Sequence, residues 1–210
     1  MNKKTVFLLT FLLGIIIPAL AQHGEQAAIE EISKAAAGIR TLHCQFKQTK
    51  QSKMLNNGAM LSEGEMWYRQ PDCLCWEYQS PYPSAFILSG GKMQLRRDKS
   101  SRMVSLNHSK KLKEMARIMI PCELGKSLLE KGNFEVSAES KDTQHILQLL
   151  PQSKELKQMF TRIVLYYNRP QAVVEKVEMW EKNGESTTIE LSFIIINEPI
   201  SDTVFDQNRQ

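Results

Sequence analysis

The sequence predicts a mainly β protein with some α-helix, in which about ten or eleven antiparallel strands curl into a barrel or a strongly bent sheet. Three observations predict this fold. Short runs of alternating apolar and polar residues recur along most of the chain. Turn formers such as Pro71-Asp72, Gly90-Gly91 and Asn183-Gly184 separate these runs. Two stretches, 25–39 and 109–132, instead repeat their apolar residues at helical spacing. Many antiparallel strands curl because twist accumulates and closure removes exposed edges.

The start of the chain has the features of a secretory signal peptide. A short basic segment precedes an apolar run, which ends in the small-x-small sequence Ala19-Leu20-Ala21. We therefore predict residues 1–21 to be a signal peptide and 22–210 to be a single domain of about 189 residues. Cleavage before Gln22 leaves no nearby cysteine for a lipid anchor, so we expect a soluble periplasmic protein.

The charge balance gives no indication of nucleic acid binding. The formal net charge of +4 falls to about +2 without the two lysines of the predicted signal peptide. Basic residues cluster at Lys110–Lys113 and at Arg96-Arg97, which is typical of a solvated face. Docking of an acidic partner or of anionic headgroups is the alternative. We expect a monomer that does not bind nucleic acid.

The four cysteines are compatible with disulfides in an exported protein, but their spacing favours free thiols. Cys73 and Cys75 lie two apart on one strand face, near the upper limit of about 6.8 Å between Cα atoms for a bridge. A disulfide that involves Cys44 or Cys122 stays an alternative. We expect no metal site, because the C-x-C spacing is not that of zinc ligands and no histidine is placed to help.

The first half of the chain predicts one helix followed by a meander of strands. In 25–39 the apolar residues recur at helical spacing among polar ones, so this stretch is an amphipathic helix. A strand that contains Cys44 and Phe46 follows, and Asn56-Asn57-Gly58 turns the chain into a meander over 58–98. One further strand is predicted over residues 102–106.

The meander presents a broad aromatic and apolar face. Leu74, Trp76 and Tyr78 share one side of their strand because side chains alternate, and Phe86 and Leu88 do so in the next. The sequence leaves open which face of strand 58–70 points inward. One face carries Met66 and Tyr68, and the other carries Leu61 and Trp67.

The second half predicts two short helices and five more strands. Met115 and Met119 lie in an apolar stripe, and Pro121 starts a second helix that carries Leu124 and Leu128 and ends near Gly132. This soft apolar face is either a permanent cover of the sheet or a movable lid. The alternating patterns then predict strands over 134–139, 145–150, 160–167, 173–181 and 187–196.

Motifs typical of enzymes are missing from the sequence. There is no G-x-S-x-G, no H-E-x-x-H and no phosphate-binding loop, and the four histidines are scattered. Glu63 and Glu65 share a strand face, but such carboxylates are usually solvated. We therefore expect no catalytic activity.

Several short motifs resemble the LolA family of periplasmic outer-membrane lipoprotein carriers. In chain order they are Gln45-Phe46, Gly64–Pro71, Trp76-Glu77-Tyr78, Ser89–Lys92, Phe160–Ile163, Asn183-Gly184 and Asn197-x-x-Ile200-x-Asp202-x-x-Phe205. The resemblance implies an incomplete, strongly curved antiparallel β-barrel with a helical lid. It also implies an apolar cavity that holds acyl chains, with no cofactor. Its implied partners are an acylated lipoprotein or other lipid cargo, an inner-membrane donor complex and an outer-membrane acceptor.

The resemblance and the apolar pattern together predict the site. The predicted lipid-binding side chains are those of Phe46, Trp67, Leu74, Trp76, Phe86 and Leu88. The predicted lid side chains are those of Met115, Met119, Leu124 and Leu128. In the family an arginine just before the proline of the first turn latches the lid. That position is Gln70 here, with Arg69 beside it on the opposite strand face, and both are predicted lid contacts.

The leading hypothesis is a periplasmic carrier that binds the acyl chains of lipoproteins and shuttles them from the inner to the outer membrane. A carrier of another acylated lipid is one alternative. A periplasmic sensor or protein-interaction module on the same fold is another, and it would have a collapsed, filled cavity. A lipid-active enzyme is the third.

Overall fold

The computed structural model describes residues 24–55, 58–97, 100–105, 114, 118–130 and 132–206. The predicted signal peptide, 1–21, lies outside these residues, and so does Met115 of the predicted lid. None of the helices within the described ranges is long and apolar enough to cross a membrane.

Eleven strands and a few helices make up the described chain. The strands are β1 Thr41–Gln51, β2 Ala59–Arg69, β3 Cys73–Ser80, β4 Ser84–Ser89, β5 Lys92–Arg97, β6 Ser100–Ser105, β7 Phe134–Lys141, β8 Gln144–Pro151, β9 Phe160–Asn168, β10 Val173–Glu181 and β11 Ser186–Ile196. The helices are α1 over 24–38, α2 Pro121–Leu129, α3 Lys154–Met159 and a 3-10 helix, Asp202–Phe205.

All eleven strands belong to one antiparallel sheet. Their order is β6-β5-β4-β3-β2-β1-β11-β10-β9-β8-β7, so two meanders meet where β1 pairs with β11. The sheet is curled and open, because β6 and β7 form two separate edges. This confirms the predicted fold class and the predicted strand count.

Local turn chemistry accounts for most of the strand bounds. Gly90 and Gly91 join β4 to β5 with positive φ values of 55° and 73°, which glycine adopts without steric cost. The turn at Asn183-Gly184 joins β10 to β11 as predicted. Two short elements are absent from the sequence prediction, α3 and the 3-10 helix. Ser153 marks the start of α3, since its side chain accepts a hydrogen bond from the backbone N–H of Leu156.

The sheet has an inner and an outer face. The inner face carries two adjoining apolar clusters, and the first contains Leu42, Phe46 and Trp76. The second cluster includes side chains of α1 and α2, so these helices lie over the inner face. The outer face has a small third cluster in which Phe205 of the 3-10 helix packs against Cys75 and Ile87.

The structure selects Met66 and Tyr68 as the inward pair on β2. Met66 lies opposite Cys44 and Trp76, and Tyr68 lies opposite Leu42 and Leu74, so all of these apolar side chains share one face. Leu61, on the other face, is 47% exposed. A shift of one residue would move the whole apolar set to the other face, so burial fixes this register.

The last strand does not alternate regularly beyond Leu191, so the prediction for that part of the strand is wrong. The pairing of β1 with β11 shifts between His43 and Gln45, and Phe193 has a φ of 50°. A bulge of this kind inserts an extra residue and redirects the side chains that follow. As a result Phe193 is 76% exposed and Ile195 is 48% exposed.

The described cysteines carry free thiols. Cys44 and Cys75 are buried and Cys73 is half-buried, and none of the three forms a disulfide. The preference for free thiols is therefore confirmed for these residues. The side chain of Cys122 lies outside the described part of the structure.

Candidate functional site

A cavity of about 400 Å³ lies between the inner face of the sheet and the two helices above it. This volume falls within the range of roughly 300 to 1,000 Å³ found for pockets that hold small molecules. Most of the lining is apolar. The lining side chains that come from the strands are Leu42, Gln48, Lys50, Met66, Trp76, Tyr78, Phe86, Phe160, Tyr167, Val173, Val174, Val177, Met179, Glu181, Thr187, Ile189 and Leu191.

Helices α1 and α2 form the cover of this cavity. Ile32 and Ala36 of α1 and Leu124 of α2 line it, together with Met119 just before α2. The helices approach closely at Gly125, where a Cβ atom would lie 2.9 Å from the Cβ of Ala36. The absence of a side chain at this position therefore allows the two helices to close over the cavity.

An aromatic cluster forms one wall. The rings of Phe46 and Trp76 stack with centroids 4.3 Å apart, and Tyr78 meets Phe46 edge-on at 5.2 Å. Phe86 is stacked on the other side of Trp76 at 6.3 Å. Gly64 makes room for this cluster, because a Cβ there would lie 2.8 Å from the tip of the Phe46 ring. The cluster is a rigid apolar surface with large contact area.

Four of the predicted site residues line the cavity: Trp76, Phe86, Met119 and Leu124. Three predicted cavity residues, Phe46, Leu74 and Leu88, are buried on the inner face in the same apolar cluster and support the lining from behind. Leu128 is buried against α1 and the second meander. Whether any of these side chains binds lipid stays a prediction.

Trp67 lies on the outer face, which corrects its predicted position in the cavity. Its ring stacks on His43 at 5.0 Å, and His43 is 2.8 Å from a carboxylate oxygen of Glu65. Both rings line a separate cavity of about 310 Å³, with Ile195 and the segment 198–201 opposite. The register that buries Met66 and Tyr68 places Trp67 on this side of the sheet.

Both predicted lid contacts lie away from the described part of the predicted lid. Arg69 points to the outer face, where it forms an ion pair with Asp202 and lies 4.8 Å from the centre of the Phe205 ring. The side-chain amide of Gln70 donates to the carbonyl of Ala37 over 3.3 Å. Gln70 thus contacts the last turn of α1, because β2 ends beside that helix.

One end of the cavity is polar, and the sequence analysis missed it. Gln48 and Lys50 continue the inward alternation of β1 beyond Phe46. Lys50 Nζ lies 3.0 Å from a carboxylate oxygen of Glu181 and 2.8 Å from one of Glu185. The period-two pattern of β1 could have identified the two β1 residues. No local pattern could have identified the acidic partners of Lys50, which follow 131 residues later or more.

Hydrogen bonds fix the charges at this end. Burial lowers the pKa of Lys50, but hydrogen bonds to Glu185 and Glu181 outweigh burial, and the pKa lies above its ordinary value. Hydrogen bonds from Lys50, Ser52 and Asn183 lower the pKa of Glu185 to about 2. Glu185 is therefore a carboxylate and Lys50 an ammonium at neutral pH.

Cys44 is buried on the inner face, close to the cavity lining. Burial in apolar surroundings, and to a smaller extent the charge of Glu65, raise the pKa of its thiol to about 12. A thiolate is the reactive form of cysteine, so Cys44 is chemically inert at neutral pH. The arrangement as a whole is suited to apolar binding with one polar end.

Comparison with protein families gives one match over most of the chain. Residues 37–208 match the profile of the family described as outer membrane lipoprotein carrier protein LolA. None of the curated proteins matches the sequence.

Solved structures share the fold at low sequence identity. The crystal structure of MucB has a TM-score of 0.52 and 11% identity, over 88% of this chain and 62% of that one. An uncharacterized conserved protein from Thermus thermophilus has a TM-score of 0.51 and 7% identity, over 85% and 91% of the two chains. The lipoprotein LppX of Mycobacterium tuberculosis has a TM-score of 0.49 and 13% identity, over 88% and 98%.

Proposed function

The chain belongs to the LolA family of outer membrane lipoprotein carrier proteins, and from this premise we propose that it carries lipoproteins from the inner to the outer membrane. The acyl chains of the lipoprotein occupy the inner-face cavity during transfer. The carrier works in the periplasm, receives cargo from an inner-membrane donor complex and delivers it to an outer-membrane acceptor.

The single observation that supports this proposal is the cavity itself. Transfer of an acyl chain of about sixteen carbons from a bilayer into water costs a free energy on the order of 12 kcal/mol, at ~0.8 kcal/mol per CH₂ group. A carrier must therefore offer an apolar enclosure. The cavity of about 400 Å³, walled by Trp76, Phe86 and aliphatic side chains, is such an enclosure.

We expect part of the cover to move when cargo enters. Leu124 of α2, Met119 before it and Ile32 of α1 cover the cavity with flexible aliphatic side chains, which adapt to acyl chains of different shape. We infer that α2 moves away from the sheet when cargo is loaded or released. Gln70 contacts the end of α1 through the hydrogen bond to Ala37.

Tryptophan fluorescence tests the position of the cargo. The chain has three tryptophans, at 67, 76 and 180. A variant with Trp67→Phe and Trp180→Phe retains only Trp76, inside the cavity. The matched control with Trp76→Phe and Trp180→Phe retains only Trp67, on the outer face. A brominated methyl stearate, which is uncharged, should quench the emission of Trp76 strongly and that of Trp67 weakly. Equal quenching of both, or none of either, would contradict the proposal.

Two alternatives lead to different observations. A sensor or interaction module is expected to have a collapsed, filled cavity. The volume of about 400 Å³ therefore favours the carrier. A carrier of another acylated lipid would use the same cavity. Mass spectrometry of lipid that copurifies with the protein distinguishes the two cargos, because a lipoprotein carries a peptide and a simple lipid does not.

A further inference from the structure

The polar end of the cavity is a composite of three strands and one turn. Lys50 of β1 lies directly opposite Thr187 of β11, and Glu181 is the last residue of β10. The hydroxyl of Thr187 donates to Glu181 over 3.3 Å, and the phenol of Tyr78 donates to the side-chain carbonyl of Gln48 over 3.0 Å. Side chains from distant parts of the sequence therefore converge at one end of an otherwise apolar cavity.

This end of the cavity is partly exposed to solvent. The side chains of Lys50, Glu181 and Glu185 are 30%, 23% and 16% exposed, respectively. At the other end Leu42 and Met66, which also line the cavity, are almost completely buried. An elongated amphiphile would bind with its apolar part among the buried side chains and its polar part beside Lys50.

The charges at this end sum to minus one. Among the described residues that line the cavity, the charged side chains are those of Lys50 and Glu181. Glu185 adds a second carboxylate, which pairs with the ammonium of Lys50. Two of the three N–H donors of Lys50 already point to carboxylates. An added anion would bring a second net negative charge beside a low-dielectric cavity, which is unfavourable. Amide, ester and hydroxyl groups, or an ammonium, would instead find hydrogen-bond partners of suitable charge.

We infer that the group of Gln48, Lys50, Glu181, Glu185 and Thr187 binds the uncharged or cationic head of an acylated ligand and discriminates against phosphate. This inference rests on the proposed function, in which the cavity holds acyl chains. An acylated peptide or an acylglycerol fits this head site. A phospholipid with the same chains fits it poorly. Selection at this end would keep abundant anionic phospholipids out of the cavity.

Displacement of an uncharged apolar fluorophore, 1-aminoanthracene, tests the inference. The two competitors are dioctanoylglycerol and dioctanoyl phosphatidic acid, which differ only in the phosphate. The wild-type protein should bind the acylglycerol at least about tenfold more tightly, as expected for the roughly one to two negative charges of a phosphate monoester near a low-dielectric site. Glu181→Gln combined with Glu185→Gln changes the net charge of the group from minus one to plus one. This double variant should lose or reverse the preference.

A second variant has the opposite effect on charge. Lys50→Met leaves the two carboxylates without their cation, so discrimination against the phosphate should increase. Matched controls are Glu178→Gln on β10 and Lys47→Met on β1. Glu178 pairs with Lys176 and Tyr166 away from the cavity, and Lys47 is exposed. Both controls should retain the wild-type preference.

Failure of the inference and failure of the proposed function differ in this assay. If the fluorophore and both competitors fail to bind, the cavity does not hold apolar ligands and the proposed function is overturned. If they bind but the wild-type protein has no preference between them, only the head site is overturned. The same conclusion follows if the double variant and Lys50→Met shift the preference in the same direction.

Discussion

The hydroxyl of Ser33 donates a buried hydrogen bond of 2.8 Å to the backbone carbonyl of Gly125. This bond joins α1 to α2 across 92 residues of sequence, at a point where the two helices approach each other closely. It therefore connects the two halves of the cavity cover. A side chain at residue 125 would separate these halves.

Gly125→Ala should loosen the cover. Alanine improves helix propensity by about 1 kcal/mol, but its Cβ would meet Ala36 at 2.9 Å and the carbonyl of Ser33 at 3.2 Å. Overpacking of this kind costs about 1 to 3 kcal/mol, so we expect a net loss in the free energy of unfolding. Urea unfolding measures it. Adding Ala36→Gly to the variant should restore part of the loss, and a lack of rescue would mean that the contact is not the cause.

Gly64→Ala should destabilise the sheet more severely. A Cβ at residue 64 would lie 1.9 Å from the carbonyl oxygen of Glu77, which is backbone and cannot rotate away. We expect a loss of about 1 to 3 kcal/mol or more in the free energy of unfolding. Gly38→Ala is the matched control, because nothing lies within 4 Å of a Cβ there. Equal stability of the two variants in urea unfolding would show that β2 and β3 can separate at little cost.

Glu185 should make stability dependent on acid pH. Its pKa is lowered from 4.5 to about 2, so the folded state favours the ionised carboxylate more than the unfolded state does. The resulting stabilisation is present above pH 4.5 and is lost as the pH falls towards 2. The thermal midpoint of Glu185→Gln should therefore fall less than that of the wild type across this range. Lys50→Met should reduce the pH dependence in the same way, and an unchanged slope in both would contradict the ion pair.

Loading of the cavity should protect α2 from amide exchange. In the empty protein we expect peptides from Pro121–Leu129 to exchange faster than the central strands β1 and β11, because α2 covers an open cavity. Bound methyl stearate should slow their exchange, since it fills the space beneath Leu124. Mass spectrometry after deuterium labelling measures both states. Equal protection in the empty and loaded protein would mean that α2 is fixed core.

Much of the fold could be predicted from the sequence because its signals are local. The turns at Gly90-Gly91 and Asn183-Gly184 depend on the backbone freedom of a few adjacent residues, and alternation marks most of the strands between them. The alternating runs also place Trp76 and Phe86 on the apolar face of the sheet, and both side chains line the cavity. The bulge near Phe193 was not predicted, because it depends on how β11 pairs with β1.

The composition of the site was decided by tertiary structure. Whether Met66 or Trp67 faces inward depends on the register of β2 between its two neighbours, and each face of β2 carries a large aromatic side chain. Gln70 contacts α1 because the end of β2 lies beside that helix in space. The polar end of the cavity brings Lys50 to Glu181, 131 residues away. Side-chain periodicity is a property of one segment, whereas an ion pair or a shared cavity wall exists only once the curling of the sheet has brought separate segments together.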